Sequence, residues 1–229
     1  MITMIKRTLF LLLLSSAGLA SAAQLTDMET RWLTAGSAVL GYAKQELKLP
    51  IDITVQPQAR PTDVPLALGF QDGRCKLVLS MRGNPNAEDI LAGVSAGQQA
   101  LMIEAMVAHE IGHCWRYAQG VWHVLPAGFE ESAQPALEQA QALRLTRREE
   151  GFADLVALAW TQHRHPQQYA AVAAWMRQVR QPASATSVTG THGTLAWLQL
   201  APTGAAFNPD QPLFEQAAGL WRQGLLHDE

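Results

Sequence analysis

The sequence predicts an α+β domain that is mainly helical, with a small, mostly antiparallel sheet ahead of a central helix. Apolar residues recur at helical spacing over most of the chain, whereas between residues 51 and 80 the period changes to the alternation typical of strands. The composition agrees with this class, because 229 residues that are 48% hydrophobic and 16% charged are enough to bury one core.

The first helix is predicted by a capping motif. Thr26 and Glu29 have the T-x-x-E spacing in which a hydroxyl and a carboxylate satisfy free backbone N–H groups at a helix start. Apolar residues at helical spacing follow as far as Pro50, which cannot continue a helix. We therefore expect the domain to begin with a helix that ends before Pro50.

The sheet is predicted in the next thirty or so residues. Ile51, Ile53 and Val55 alternate with polar residues, which indicates a half-buried strand. Two further strands, over residues 66–70 and 75–80, flank an Asp-Gly pair that favours a tight hairpin turn.

The rest of the chain is predicted to be helical. We expect helices over residues 98–118, 136–163, 167–180, 192–200 and 211–226, with Gly120 just beyond the end of the first of them. There is no internal repeat and no low-complexity linker, so residues 23–229 form a single predicted domain.

Residues 1–22 have the features of a signal peptide. Two basic residues precede an apolar run, and Ala20-Ser21-Ala22 has the small-x-small form of a cleavage site. The apolar run is shorter than the roughly 18–20 residues that a membrane-spanning helix needs. We therefore expect cleavage, a periplasmic location, and no stable membrane span afterwards.

The charge pattern and the cysteine content indicate which partners and which covalent links to expect. The 17 Lys and Arg residues form no run, which argues against a nucleic-acid partner. The two cysteines, Cys75 and Cys114, have no CxxC spacing. In an oxidising compartment they are candidates for a single disulfide; the alternative is two unrelated buried thiols.

The segment that carries chemistry is His109-Glu110-Ile111-Gly112-His113, an H-E-x-x-H motif within a predicted helix. Residues i and i+4 lie on one face, so both imidazoles can bind the same ion. Glu110 follows the first histidine by one position, so its carboxylate is placed to reach a water on that ion and not the ion itself.

A catalytic zinc needs a third protein ligand. The metzincin extension of the motif is absent, because Arg116 and Gln119 occupy the places of its glycine and third histidine. A following predicted helix carries Glu150 and Asp154, one turn apart on one face. Glu150 is therefore the candidate ligand, and Asp154 is the candidate acceptor of an N–H from a ligand histidine.

Three other glutamates compete with Glu150. Glu149 is adjacent to it, but it points about 100° away around the helix and has no aspartate four residues later. Glu130 and Glu131 also follow the second histidine, but they lack that aspartate, since Gln134 and Pro135 stand four residues after them.

H-E-I-G-H at 109–113 followed by E-G-F-A-D at 150–154 resembles the gluzincin zinc metallopeptidases. The resemblance implies a zincin-like fold with one Zn²⁺ per chain. The implied site residues are the metal ligands His109, His113 and Glu150, the general base Glu110, and Asp154 beside a ligand histidine.

Beyond these segments the resemblance is thinner. Those relatives often have a later His-Pro motif with an arginine six residues after the histidine, whereas His192 is followed by glycine and Leu198 stands at the arginine position. His192 is our candidate for a donor that stabilises an oxyanion.

The resemblance also suggests how a substrate is held. In gluzincins a strand at the position of residues 75–80 offers its edge to an extended peptide. A Cys75–Cys114 disulfide would tie that strand to the end of the zinc-bearing helix.

The function expected from these features is that of an exported zinc metallopeptidase acting on a peptide or protein, with envelope proteins among the candidates. One alternative is a non-catalytic exported protein that keeps the metal for folding or partner binding. Glu110 argues against it, because a structural zinc needs no base beside it. A zinc amidase acting on cell-wall peptides is the third hypothesis.

Overall fold

The computed structural model describes residues 24–129, 138–181 and 192–226, which form a mixed α+β structure. The predicted signal peptide, as well as Glu130 and Glu131, lies outside the described residues. The elements in chain order are α1 (Asp27–Gln45), β1 (Ile51–Pro57), β2 (Leu66–Gln71), β3 (Arg74–Arg82), α2 (Ala96–Ala118), α3 (Glu138–Arg164), α4 (Tyr169–Val179), α5 (Leu195–Leu200) and α6 (Leu213–Leu225).

The three strands are arranged in the order β1-β3-β2. β1 is parallel to β3, and β2 is antiparallel to β3, so the expectation of a mostly antiparallel sheet is wrong. The predicted hairpin between β2 and β3 is confirmed: Asp72 and Gly73 both have positive φ, as a two-residue turn of this twist requires. β3 therefore lies between β1 and β2, although β2 precedes it in the chain.

The predicted capping box at the start of α1 is confirmed. The Thr26 N–H donates to the Glu29 carboxylate at 2.7 Å, and the Glu29 N–H donates to the Thr26 hydroxyl at 3.2 Å. The same carboxylate is fully buried and accepts a 2.8 Å bond from Arg82 at the end of β3. One side chain therefore begins the helix and fastens it to the sheet.

α2 and α3 pack closely against each other and carry the predicted motifs. A Cβ added to Gly112 on α2 would lie 3.0 Å from the Cα of Ala153 on α3, so the two backbones approach where only glycine fits without a shift. α2 ends as predicted, with Gly120 at φ +68 just past its C-cap. The predicted helix over residues 192–200 begins later, at Leu195.

A disulfide joins Cys75 in β3 to Cys114 in α2, with 5.7 Å between the two Cα atoms. Both cysteines are buried, so the bond fastens the central strand to the helix within the core. This pairing is compatible with export to an oxidising compartment. Among the described helices, none is both long enough and apolar enough to cross a membrane.

Candidate metal centre

His109 and His113 lie one turn apart on the face of α2 that packs against α3, and both are buried. Their Nε2 atoms are 3.1 Å apart. Because helical geometry alone sets the i, i+4 relation, the sequence motif was sufficient to predict this pair. Two imidazole nitrogens thus converge on one point.

Glu150 approaches the same point from α3. Its Oε2 lies 3.3 Å from Nε2 of His109, and its Oε1 lies 3.3 Å from Nε2 of His113. One nitrogen or oxygen from each of the three residues lies within 4.8 Å of the others. Glu150 is buried, and its Oε2 has no hydrogen-bond partner among the described residues.

This donor set fits a metal ion. Two imidazoles and one carboxylate are a common ligand set for Zn²⁺, and a buried carboxylate oxygen without a partner is costly unless a ligand satisfies it. The buried group of His109, His113 and Glu150 could therefore hold a metal ion.

Asp154 orients the first histidine. It is fully buried one turn after Glu150, and its Oδ1 accepts a 2.8 Å bond from Nδ1 of His109. A histidine that donates from Nδ1 keeps the lone pair of Nε2 free for a metal. By contrast, Nδ1 of His113 is buried without a hydrogen-bond partner in the described part of the chain.

The sequence did not reveal two further partners of Asp154. Arg180, at the C-cap of α4, donates to both carboxylate oxygens at 2.9 and 2.7 Å, and the Thr194 hydroxyl donates to Oδ2. Nη2 of Arg180 also lies 3.7 Å from Oε2 of Glu150. No spacing rule connects these residues to the motifs, because tertiary packing alone brings them to the site.

The charges shift the pKa values of the buried groups. Burial alone would lower the pKa of His109, but the carboxylates of Asp154 and Glu150 raise it to about 10. Burial opposes ionisation of Asp154, yet the guanidinium of Arg180 and the bond to His109 hold its pKa well below the usual range. The pKa of Glu150 is also lowered, because the two histidines outweigh its burial.

The two residues predicted to act on the substrate lie beside this centre. Glu110 lines the same cleft, and burial raises the pKa of its carboxyl. His192 lies at the rim with its side chain 64% exposed, and its Nε2 is 3.4 Å from Oε2 of Glu150. Thr194, two residues later, ties this segment to Asp154.

Glu149 has a separate partner, as its direction on the helix predicts. Its carboxylate accepts two 2.9 Å bonds from Arg116 and a 2.8 Å bond from the backbone N–H of His123. The other competing glutamates, Glu130 and Glu131, lie outside the described residues.

The centre opens into a cleft of about 480 Å³. Residues of β2 and of the segment before it line one side of this cleft. The expectation that β3 offers its edge to a substrate is wrong, because β3 is paired on both sides and β2 lies at the sheet edge.

Comparison of the chain with protein-family models, with curated proteins and with solved structures gives no match.

Proposed function

We propose that this protein is an exported zinc-dependent metallopeptidase of the gluzincin type, with one Zn²⁺ per chain. The observation that carries the proposal is the convergence of two imidazole nitrogens and the Glu150 carboxylate in a cleft that Glu110 also lines. One oxygen of that carboxylate has no hydrogen-bond partner among the described residues. Such a centre needs no acid–base residue if it serves folding alone, so the adjacent Glu110 favours catalysis.

Zn²⁺ is the preferred ion because imidazole and carboxylate are its usual ligands at catalytic sites. When bound, it would lower the pKa of a coordinated water towards about 7 and polarise a carbonyl group. His109, His113 and Glu150 would hold it. Asp154 keeps His109 in the tautomer that leaves Nε2 available.

The protein's own groups would handle the protons. Glu110 takes a proton from the attacking water and returns it to the leaving amine. His192, whose Nε2 lies 3.4 Å from Oε2 of Glu150, would donate a hydrogen bond to the oxygen on which negative charge develops.

An extended peptide would pair with β2. The N–H of Ser80 bonds to the carbonyl of Pro65, so the alternating pattern directs the N–H and C=O groups of Leu66, Leu68 and Phe70 away from β3. Within the described residues, β2 pairs with β3 alone, and residues 66–68 line the cleft. Strand addition at this edge would lay a peptide along the centre.

Export is proposed from the N-terminal sequence together with the disulfide. Residues 1–22 have the order of a signal peptide, and a buried Cys75–Cys114 bond persists in the oxidising periplasm. The proposed substrate is accordingly a peptide or protein of the cell envelope.

The decisive variant is Glu110→Gln. We expect wild type and variant to contain equal, stoichiometric zinc by metal analysis, while hydrolysis of casein by the variant falls by roughly 10²–10⁴-fold. Glu104→Gln, on the same helix but bonded to Trp160, is the matched control and should keep both zinc and hydrolysis.

Two results would contradict the proposal. Undiminished hydrolysis by Glu110→Gln would exclude its role as the base. Failure of zinc-loaded wild type to hydrolyse casein, unfolded outer-membrane proteins or muropeptides would favour the non-catalytic alternative.

A further inference from the structure

We infer that the substrate of this site is an extended, uncharged and largely apolar segment of polypeptide, not a cell-wall peptide. This inference rests on the proposed function and concerns what the cleft around the centre accepts.

Among the described residues, the acidic and basic side chains that line the cleft all belong to the centre itself. They are His109, Glu110, His113, Glu150, Asp154, Arg180 and His192. Arg180 is already bound to both oxygens of Asp154. Among the described lining residues, therefore, the rest of the cleft offers no cation to a substrate carboxylate.

One half of the cleft lies on the N-terminal side of His109 and is largely apolar, with Asn86 as an uncharged polar lining residue. Met106, one turn before that histidine on α2, lines it together with Trp32, Ile90 and Trp175. The indole N–H of Trp32 donates to the Glu88 carboxylate at 2.9 Å. The indole N–H of Trp175 donates to the carbonyl of Ile90 at 3.3 Å. Both rings thus have their polar group engaged. The half-buried Trp175 ring offers carbon surface to a ligand, whereas the Trp32 side chain is already buried in the protein.

The other half lies beyond His113 and is neutral and aromatic. Tyr117, one turn after that histidine, stacks on Trp122 with ring centroids 4.0 Å apart and on Phe70 of β2 at 4.8 Å. Tyr117, Trp122 and Thr146 line the cleft here. This half has aromatic surface and hydroxyl groups but no full charge among its described residues.

The length of the cleft matches an extended chain. From Met106 to Tyr117, α2 rises by roughly 16 Å, since each helical residue adds about 1.5 Å. An extended peptide covers that distance in about five residues. A segment of this length must be unfolded or flexible to lie along β2, so folded surfaces are poor substrates.

Charge separates the two substrate classes. A cell-wall peptide brings several free carboxylates into the cleft, and moving an ionised group out of water without a partner is strongly unfavourable. A neutral apolar segment gains from burial against the half-buried Met106 and Trp175 side chains. The lining of the cleft therefore favours a neutral apolar segment over a cell-wall peptide.

The experiment measures binding without turnover. Zinc-loaded Glu110→Gln protein is titrated with three fluorescein-labelled ligands and followed by anisotropy. Two are ten-residue peptides, one rich in Leu, Val and Ala and one with two Glu near its centre; the third is a muropeptide. We expect Kd to be about ten-fold or more weaker for the Glu peptide and the muropeptide than for the neutral peptide. Equal affinities, or tighter binding of the muropeptide, would overturn the inference.

A charge placed in the apolar half tests the assignment of that half. We expect Met106→Lys to shift the ratio of affinities by about ten-fold towards the Glu peptide, while Met106→Leu keeps the ratio of the parent protein. An unchanged ratio in a folded, zinc-loaded Met106→Lys protein would also overturn the inference. If this variant does not fold, the three-peptide comparison still decides.

The two proposals fail separately. Wild type that hydrolyses muropeptides but not apolar peptides would keep the metallopeptidase-type chemistry and refute this substrate class. Glu110→Gln protein that binds the neutral peptide selectively, beside a zinc-loaded wild type that hydrolyses nothing, would support this cleft preference and refute the enzyme.

Discussion

Two buried carboxylates stand next to each other on α3, and their surroundings differ. Glu149 meets Arg116 and a backbone N–H, and the same guanidinium donates to the carbonyl of Val124 and lies over the ring of Trp221. Glu150 meets two histidine nitrogens at 3.3 Å, and one of its buried oxygens has no hydrogen-bond partner in the described part of the chain. Both carboxylates bridge α2 and α3.

Whether every carboxylate oxygen has a hydrogen-bond partner distinguishes a structural ion pair from a candidate ligand site. The Glu149 cluster is saturated, since Arg116 and the His123 N–H between them bond to both of its oxygens. A saturated buried network specifies packing. In the Glu150 cluster, one carboxylate oxygen has no hydrogen-bond partner among the described residues, at the point where two nitrogens converge. A bound cation would satisfy that oxygen.

The largest effect that we expect is loss of the metal from Glu150→Ala. The variant should lack stoichiometric zinc after dialysis, because a ligand contributes more than the roughly 10–100-fold in affinity that an outer partner contributes. Metal analysis checks this. In chelator, its thermal stability at neutral pH should fall below that of the parent, because the lowered pKa of Glu150 shows that its ionised carboxylate interacts favourably with His109 and His113. Retention of zinc would require a different third ligand.

Glu149→Ala should give the opposite pattern. It leaves Arg116 buried without its partner, so we expect a loss of about 3–5 kcal/mol in the free energy of unfolding. Denaturant unfolding measures the loss, and the folded fraction should still bind one zinc. The double variant Arg116→Ala/Glu149→Ala is the control and should lose less than the sum of the single changes. Loss of zinc from folded Glu149→Ala would erase the distinction between the clusters.

Arg180→Gln tests the outer shell of the centre. Removing the guanidinium takes away the two hydrogen bonds that Arg180 donates to Asp154, so we expect zinc affinity to fall roughly 10–100-fold. Competition with a zinc chelator measures the affinity. Arg177→Gln is the matched control on the same helix, since Arg177 bonds to backbone carbonyls of Leu198 and Ala201 instead. An equal loss in both variants would indicate a general effect on α4.

The smallest expected effect is that of Gly112→Ala, which acts on both clusters through the helix spacing. The added Cβ meets the Ala153 backbone at 3.0 Å, so α2 and α3 must separate slightly at a cost of about 1–3 kcal/mol. Thermal unfolding and zinc competition should both change. Gly97→Ala on the same helix has open space and should be neutral or slightly stabilising. Unchanged stability in Gly112→Ala would show that the helices tolerate the added methyl group.

Much of the candidate site could be predicted from the sequence because its spacing is local. Two pairs of residues stand four positions apart in the chain, His109 with His113 and Glu150 with Asp154. A helix places such residues on one face whatever surrounds it. The same locality explains the correct prediction of the capping box at Thr26. The rejection of Glu149 also needed only local features, namely the angle between successive helical residues and the aspartate four positions after Glu150.

The sheet was less predictable because strand order is not local. The alternation in β1 and the Asp-Gly turn predicted the strands, but nothing in them shows that β3 inserts between β1 and β2. The expected substrate edge was therefore assigned to the wrong strand. Strand order depends on which apolar faces pack together, and that is settled over the whole domain.

The residue pattern was sufficient to predict the two candidate ligand histidines, a candidate third ligand with its aspartate, and a candidate cysteine pair. The packing of the whole domain was needed to bring Arg180 and Thr194 to Asp154, Arg116 to Glu149, and β2 to the border of the cleft. The physical reason is the range of the interactions. Helical periodicity acts within a few residues, whereas these contacts join segments that come together only when the core is packed.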